Sequence, residues 1–153
     1  MSDRTLEQQR AAYSLEVVSK VKQTTEKLGD EYAEKLGDEY AGYVVNLAGA
    51  ILINGLGQAL AQLRSAAKGN NGEEKKEDPH EWLYQHINDW ICKKHPHSHF
   101  EKKKDLLLQL SRKTREDYQW ALMETLAFLE WHRKIAVAEL KKPEHREEKD
   151  AQE

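Results

Sequence analysis

The stretch Ala41-Gly42-Tyr43-Val44-Val45-Asn46-Leu47-Ala48-Gly49-Ala50-Ile51-Leu52-Ile53-Asn54-Gly55-Leu56-Gly57-Gln58-Ala59-Leu60-Ala61-Gln62-Leu63 holds no charged side chain in a sequence that is 33% Asp, Glu, Lys and Arg. Such a segment must be buried, and its spacing gives the fold class. Val44, Leu47, Ala48, Ile51 and Leu52 recur at helical spacing, and Leu56, Ala59, Leu60 and Leu63 repeat the pattern beyond Asn54-Gly55. A glycine closes a helix in the left-handed conformation at little steric cost, so one helix is expected to end at Asn54 with Gly55 just past it. A second helix starts at once, and the tight corner turns both apolar faces toward one core. A membrane span is disfavoured by Asn46, Asn54, Gln58 and Gln62 and by the central glycines. A dinucleotide-binding loop at Gly55-x-Gly57 fails because Leu60 stands where the third glycine belongs and no other convincing strand completes a sheet.

Working outward, 153 residues suit a single domain. The expectation is an all-α, compact bundle of five to six helices over residues 1–143, with a mobile linker at 66–77 and a charged flexible tail at 144–153. One cysteine forbids an internal disulfide. With no apolar signal region in Met1-Ser2-Asp3-Arg4-Thr5, a cytoplasmic protein without a membrane partner is expected. The net charge of -3 is unevenly spread: Lys93 to Arg115 holds eight Lys and Arg against Glu101 and Asp105, whereas Asn70 to Cys92 is acidic.

Thr5 with Gln8 forms a capping box for a first helix to about Lys27, lined by Leu6, Tyr13, Val17 and Val21 and widened by Ala11, Leu15 and Val18. Glu26-Lys27-Leu28-Gly29-Asp30-Glu31-Tyr32-Ala33 is then repeated without change at 34–41. A period of eight fits no straight helix face, and each glycine costs a helix roughly 1 kcal/mol, so the duplication is expected in a connection. Asp78, Pro79 and Glu81 start a helix with Leu83, Ile87, Trp90 and Ile91 inward, and Pro96 ends it. Ser98 with Glu101 is expected to cap a helix through Leu106, Leu107 and Leu110. Thr114 to Asp117 open the longest helix. One face carries Tyr118, Leu122, Leu126 and Leu129 and the adjacent one Ala121, Phe128, Trp131 and Ile135, so Trp131 is expected in the core.

Cys92, His95, His97 and His99 suggest zinc, but the spacing is poor and no second ligand pair exists, so an exposed loop without metal is expected. A di-iron bundle needs two Glu-x-x-His motifs; only Glu77-Asp78-Pro79-His80 fits, across a helix start. No Gly-x-Ser-x-Gly, phosphate loop or His-Glu-x-x-His occurs, so neither catalysis nor a cofactor is expected. The basic stretch reads either as a solvated face or as a contact to a phosphate backbone.

Four segments together resemble one family: Arg10-Ala11-Ala12-Tyr13 with Glu16 and Val17, then Asn54-Gly55-Leu56-Gly57-Gln58-Ala59-Leu60-Ala61, then Leu83-Tyr84 to Trp90, then Leu129-Glu130-Trp131-His132-Arg133-Lys134-Ile135-Ala136. In this order they are similar to the small all-helical subunit of the type III-B CRISPR effector, the Cmr complex. The resemblance implies a non-catalytic protein of antiviral defence whose copies stack along the backbone subunit and help to hold guide RNA and target RNA. It marks Arg10, Arg133 and Lys134 as RNA-binding candidates, and local charge adds Arg112, Lys113 and Arg115. The chain departs from the family in its duplication, in the Lys68 to Asp78 linker and at Leu52-Ile53, where many relatives carry a basic residue. The alternative is a helical protein-interaction scaffold with no RNA contact.

Overall fold

A computed structural model describes residues 3–68 and 77–142, and these form six α-helices and one π-helical turn without a strand. The expected linker is helical at its start, since the third helix runs to Lys68; residues 69–76 and the tail beyond 142 lie outside the described residues.

α1 (Leu6–Glu26) begins with the expected capping box, in which Thr5 Oγ1 accepts the Gln8 N–H at 3.1 Å and Gln8 Oε1 accepts the Thr5 N–H at 2.8 Å. Tyr13, Val17, Val18 and Val21 face inward, whereas Leu15 stands 55% exposed instead of widening that face.

The duplication is not a connection. The chain turns at Gly29, whose φ is 103°, and α2 (Asp30–Asn54) then takes the rest of the first copy and all of the second into one helix. Identical octapeptides therefore have different structures: Gly29 makes the turn, while Gly37 lies mid-helix against Leu140. Arm length selects which glycine turns. Ser14 on α1 and Tyr40 on α2 both bond to His132. From there α1 runs about 18 Å to Glu26, and α2 needs about 15 Å from Tyr40 back to Asp30 to meet it. A turn at Gly37 would leave the α2 arm about 12 Å too short.

Tyr40, Ala41, Val44, Leu47 and Ile51 form the buried stripe of α2; Leu52 and Ile53, at 74% and 83% exposure, fall outside it. Gly55 closes α2 as expected, with φ 89° and its N–H on the Ile51 carbonyl at 2.8 Å. α3 (Leu56–Lys68) follows immediately and buries Leu56, Ala59, Leu60, Leu63 and Ala67. The Tyr118 hydroxyl accepts the Gly57 N–H at 2.9 Å, satisfying one of the free amides at the start of α3.

α4 (Pro79–Asp89) is capped by Asp78, which accepts the His80 N–H at 2.8 Å. It passes into a π turn (Trp90–Lys94), closed by the His95 N–H on the Trp90 carbonyl at 2.9 Å. This wider turn leaves Trp90, Ile91 and Cys92 all buried in succession. Ser98 and Glu101 cap no helix. α5 (Leu106–Leu110) starts later, on Asp105, and Ser98 instead hydrogen-bonds the Ile91 carbonyl and the Phe100 N–H. α6 (Arg115–Leu140) begins at Thr114, whose hydroxyl accepts the Asp117 N–H at 3.1 Å.

The chain gathers into two compact units: Met1–Val45 with Phe128–Glu153, and Asn46–Ala127. In the first, α1 and the start of α2 pack on the end of α6 through Tyr13, Val17, Tyr40, Phe128 and Leu129. In the second, α3, α4 and α5 surround Leu60, Leu83, Ile87 and Leu106.

Candidate nucleic-acid interface

The basic corner of the second unit is built on two polar residues, the half-buried Asp105 and the buried Gln109. Asp105 caps α5 and also accepts from the Tyr84 hydroxyl at 2.7 Å and from Arg64 at 3.2 Å. Burial, together with the Asp105 carboxylate, pushes the Tyr84 hydroxyl well above its usual range, so it remains a donor. Gln109 donates to the Glu101 and Lys104 carbonyls, both at 2.9 Å, and accepts the Glu101 N–H at 2.7 Å. It thereby fixes the backbone that carries Lys102, Lys103 and Lys104.

An open pocket of about 290 Å³ is lined by Glu101, Lys104, Leu108, Gln109, Arg112 and Lys113. Lys113 donates to the His99 carbonyl at 2.9 Å and lies 5.5 Å from the centre of the Phe100 ring, while Arg112 and Arg115 are exposed. Lys104, hydrogen-bonded to Glu101 at 2.9 Å, holds that carboxyl below the usual range, so the pocket sets three cations against one carboxylate. Beside it the exposed His99 ring stacks on Trp120, at 5.1 Å and 13°. Its Nδ1 meets Asp117 at 2.9 Å, which lowers the Asp117 carboxyl below its ordinary value.

The histidine segment is only partly the exposed loop that its composition suggests. His95 is buried; its Nε2 lies 2.9 Å from Glu124, which also accepts the Trp90 indole N–H at 3.1 Å. The His97 backbone N–H donates to His95 Nδ1 at 3.0 Å, so that nitrogen carries no proton and Nε2 is the donor to Glu124. Cys92 is buried as well. Among the described residues no group of three or more His, Cys, Asp or Glu is placed to hold a metal ion.

The terminal block lies in the first unit. His132 is fully buried, with Ser14 Oγ 2.7 Å from Nδ1 and the Tyr40 hydroxyl 2.8 Å from Nε2. Burial, and then the neighbouring Tyr13, raise the Tyr40 hydroxyl well above its ordinary pKa. The sequence did carry a signal for this network, because His132 falls four residues after Phe128 and four before Ala136, on the innermost stripe of α6. Trp131 is half-buried, not a core residue, since that stripe runs through Ala121, Thr125, Phe128, Leu129, His132 and Ala136. Lys134 has a side chain 67% exposed and Arg133 one 35% exposed, and both reach Glu130, at 3.9 and 3.3 Å. Arg10, only 14% exposed, pairs with Glu7 at 3.7 Å. The structure thus groups Arg112 with Lys113 and Arg115 in one unit, and Arg133 with Lys134 in the other; Arg10 offers little surface.

No helix of the described residues is long and apolar enough to cross a membrane. All-α, with its His132 and His95 hydrogen-bond networks buried and positive charge on its surface, the chain is of the class of small helical proteins. No curated protein matches it. The family described as CRISPR-associated protein (Cas_Cmr5) matches residues 6–139, and the chain belongs to that family, the small subunit of the type III-B Cmr complex.

Proposed function

We propose that the chain serves the Cmr complex as a non-catalytic element that stacks beside the backbone subunit and further copies of itself and helps to hold guide RNA and its paired target. The observation that carries this reading is the contrast between closed and open chemistry. The His132 network is sealed: Ser14, Tyr40 and His132 are each 0% exposed, so a substrate has no path to them. Lys134, Arg112 and Arg115 lie open. Membership of the complex adds support, because copies fixed side by side gain from effective concentration what a single weakly acidic chain lacks.

The test is Arg133→Glu with Lys134→Glu in a reconstituted complex. The fold stays intact, target-RNA affinity falls, and the slope of log affinity against log salt becomes shallower by about 0.7 for each lost contact to a single strand. Equal affinity and an unchanged slope, with the variant subunit incorporated, would remove these two residues from the RNA face and favour the scaffold reading.

A further inference from the structure

The corner around α5 combines two features that a surface of solvated lysines lacks. One is a concave pocket with converging cations; the other is a flat aromatic stack beside it. Arg112 has no ion pair or side-chain hydrogen bond among the described residues, so its planar fork of donors is available to two oxygens of one phosphate. Lys104 and Lys113 flank it, and Gln109 holds the backbone under Lys104 in place. Lys113 links pocket to stack, because the same ammonium donates to the His99 carbonyl. The His99 ring has one face on Trp120, and its side chain is 54% exposed, which leaves the other face for a second flat ring. Glu101, Asp105 and Asp117 are the carboxylates of this corner, and each is already engaged, by Lys104, by Arg64 with the Tyr84 hydroxyl, and by His99 respectively.

We infer that this corner is a subsite for one nucleotide, its phosphate in the pocket of Lys104, Arg112 and Lys113 and its base stacked on His99. Stacking on a π face takes any base, so the subsite is indifferent to sequence. The phosphate could belong to an RNA strand or to a free mononucleotide; assigning it to a strand rests on the RNA-holding reading above, whereas the subsite itself rests on the pocket and the stack.

The test uses the full isotope-labelled chain, titrated separately with inorganic phosphate, adenosine monophosphate and a short uridine oligomer, following the Arg112 and Lys113 amides and the Trp120 indole N–H by NMR. Phosphate should move the two amides only, and the nucleotide and the oligomer should move the indole as well. His99→Ala should abolish the indole response and weaken the oligomer about fivefold or more. Arg112→Gln should weaken all three ligands. An oligomer tighter than the mononucleotide identifies a strand as the source, and equal affinity identifies a free nucleotide. A silent indole with every ligand, or a His99→Ala variant that binds the oligomer as the parent does, would overturn the subsite. Oligomer-induced shifts confined to Arg133 and Lys134 would overturn it too, while leaving the RNA-holding reading intact.

Discussion

Tyr32 and Tyr40 occupy the same place in two identical octapeptides, so Tyr32→Phe and Tyr40→Phe form a matched pair in which local sequence cancels. Tyr40 is 0% exposed and its hydroxyl lies 2.8 Å from His132 Nε2; Tyr32 is 58% exposed. Replacing Tyr40 keeps the ring and its packing but leaves a buried imidazole nitrogen without that partner, at a cost of about 1 to 3 kcal/mol. For a chain of this length each kcal/mol moves Tm by about 2 to 4 °C, so a loss of about 2 kcal/mol lowers it by about 4 to 8 °C. Tyr32→Phe should stay within about 0.5 kcal/mol of the parent. Urea titrations followed by circular dichroism measure both. Adding Ser14→Ala to Tyr40→Phe should give a non-additive loss, since the two hydroxyls serve one ring. Two single variants of equal stability, or a Tyr40→Phe chain more stable than the parent, would refute the idea that the network stabilises the first unit.

The glycines of the same repeat should respond with opposite signs. Gly29→Ala forces a side chain into a left-handed backbone at φ 103° and should cost about 1 to 2 kcal/mol. In Gly37→Ala the new Cβ meets Leu140 at an ordinary 3.6 Å inside a helix, which should stabilise by up to about 1 kcal/mol in the same titration. Cys92 predicts alkaline behaviour: burial first, then the Asp105 charge, push its thiol from 9.0 to about 11. A raised folded pKa means that the native state holds the proton longer, so this contribution is complete below pH 9.0 and is lost as the pH rises toward 11. Cys92→Ala should flatten the fall in urea midpoint across that window, and an unchanged slope would mean that the thiol is not the group titrating. Tyr40 and Tyr84 act in the same direction at higher pH, above their ordinary value of 10.0.

Where periodicity and capping chemistry acted alone, the sequence was readable. The corner at Asn54-Gly55, the caps at Thr5 and Asp78, and the inner residues of α3 and α4 follow from spacing and turn chemistry. It misled where tertiary contacts choose between locally equal options. Nothing within Glu26 to Ala41 distinguishes Gly29 from Gly37; the arm lengths measured from the bonds of Ser14 and Tyr40 to His132 do. Ser98 and Asp105 are both competent caps, and the Tyr84 and Arg64 contacts choose Asp105. The basic residues of the candidate interface were visible as charge, but Gln109 was not. Its role comes from bonds to backbone eight and five residues away, which no side-chain pattern records. The π turn was hidden for a related reason, because a run of three inward residues resembles an ordinary helix end.

The two copies of the octapeptide also define what a change of chain length does to this protein. Removing either copy yields one and the same sequence, with the surviving Leu-Gly-Asp-Glu-Tyr-Ala joined directly to Gly42. The tyrosine would keep its place opposite His132, but its arm would lose eight residues, about 12 Å of helix, while α1 kept all of its own. The shortened chain would have to unwind the last two turns of α1 or surrender the tyrosine's bond. Eight residues also rotate a helix by about 80° beyond two full turns, which is why the same tyrosine faces outward in one copy and inward in the other. The duplication therefore sets the gauge of the hairpin, and losing a copy would leave it with arms that no longer close.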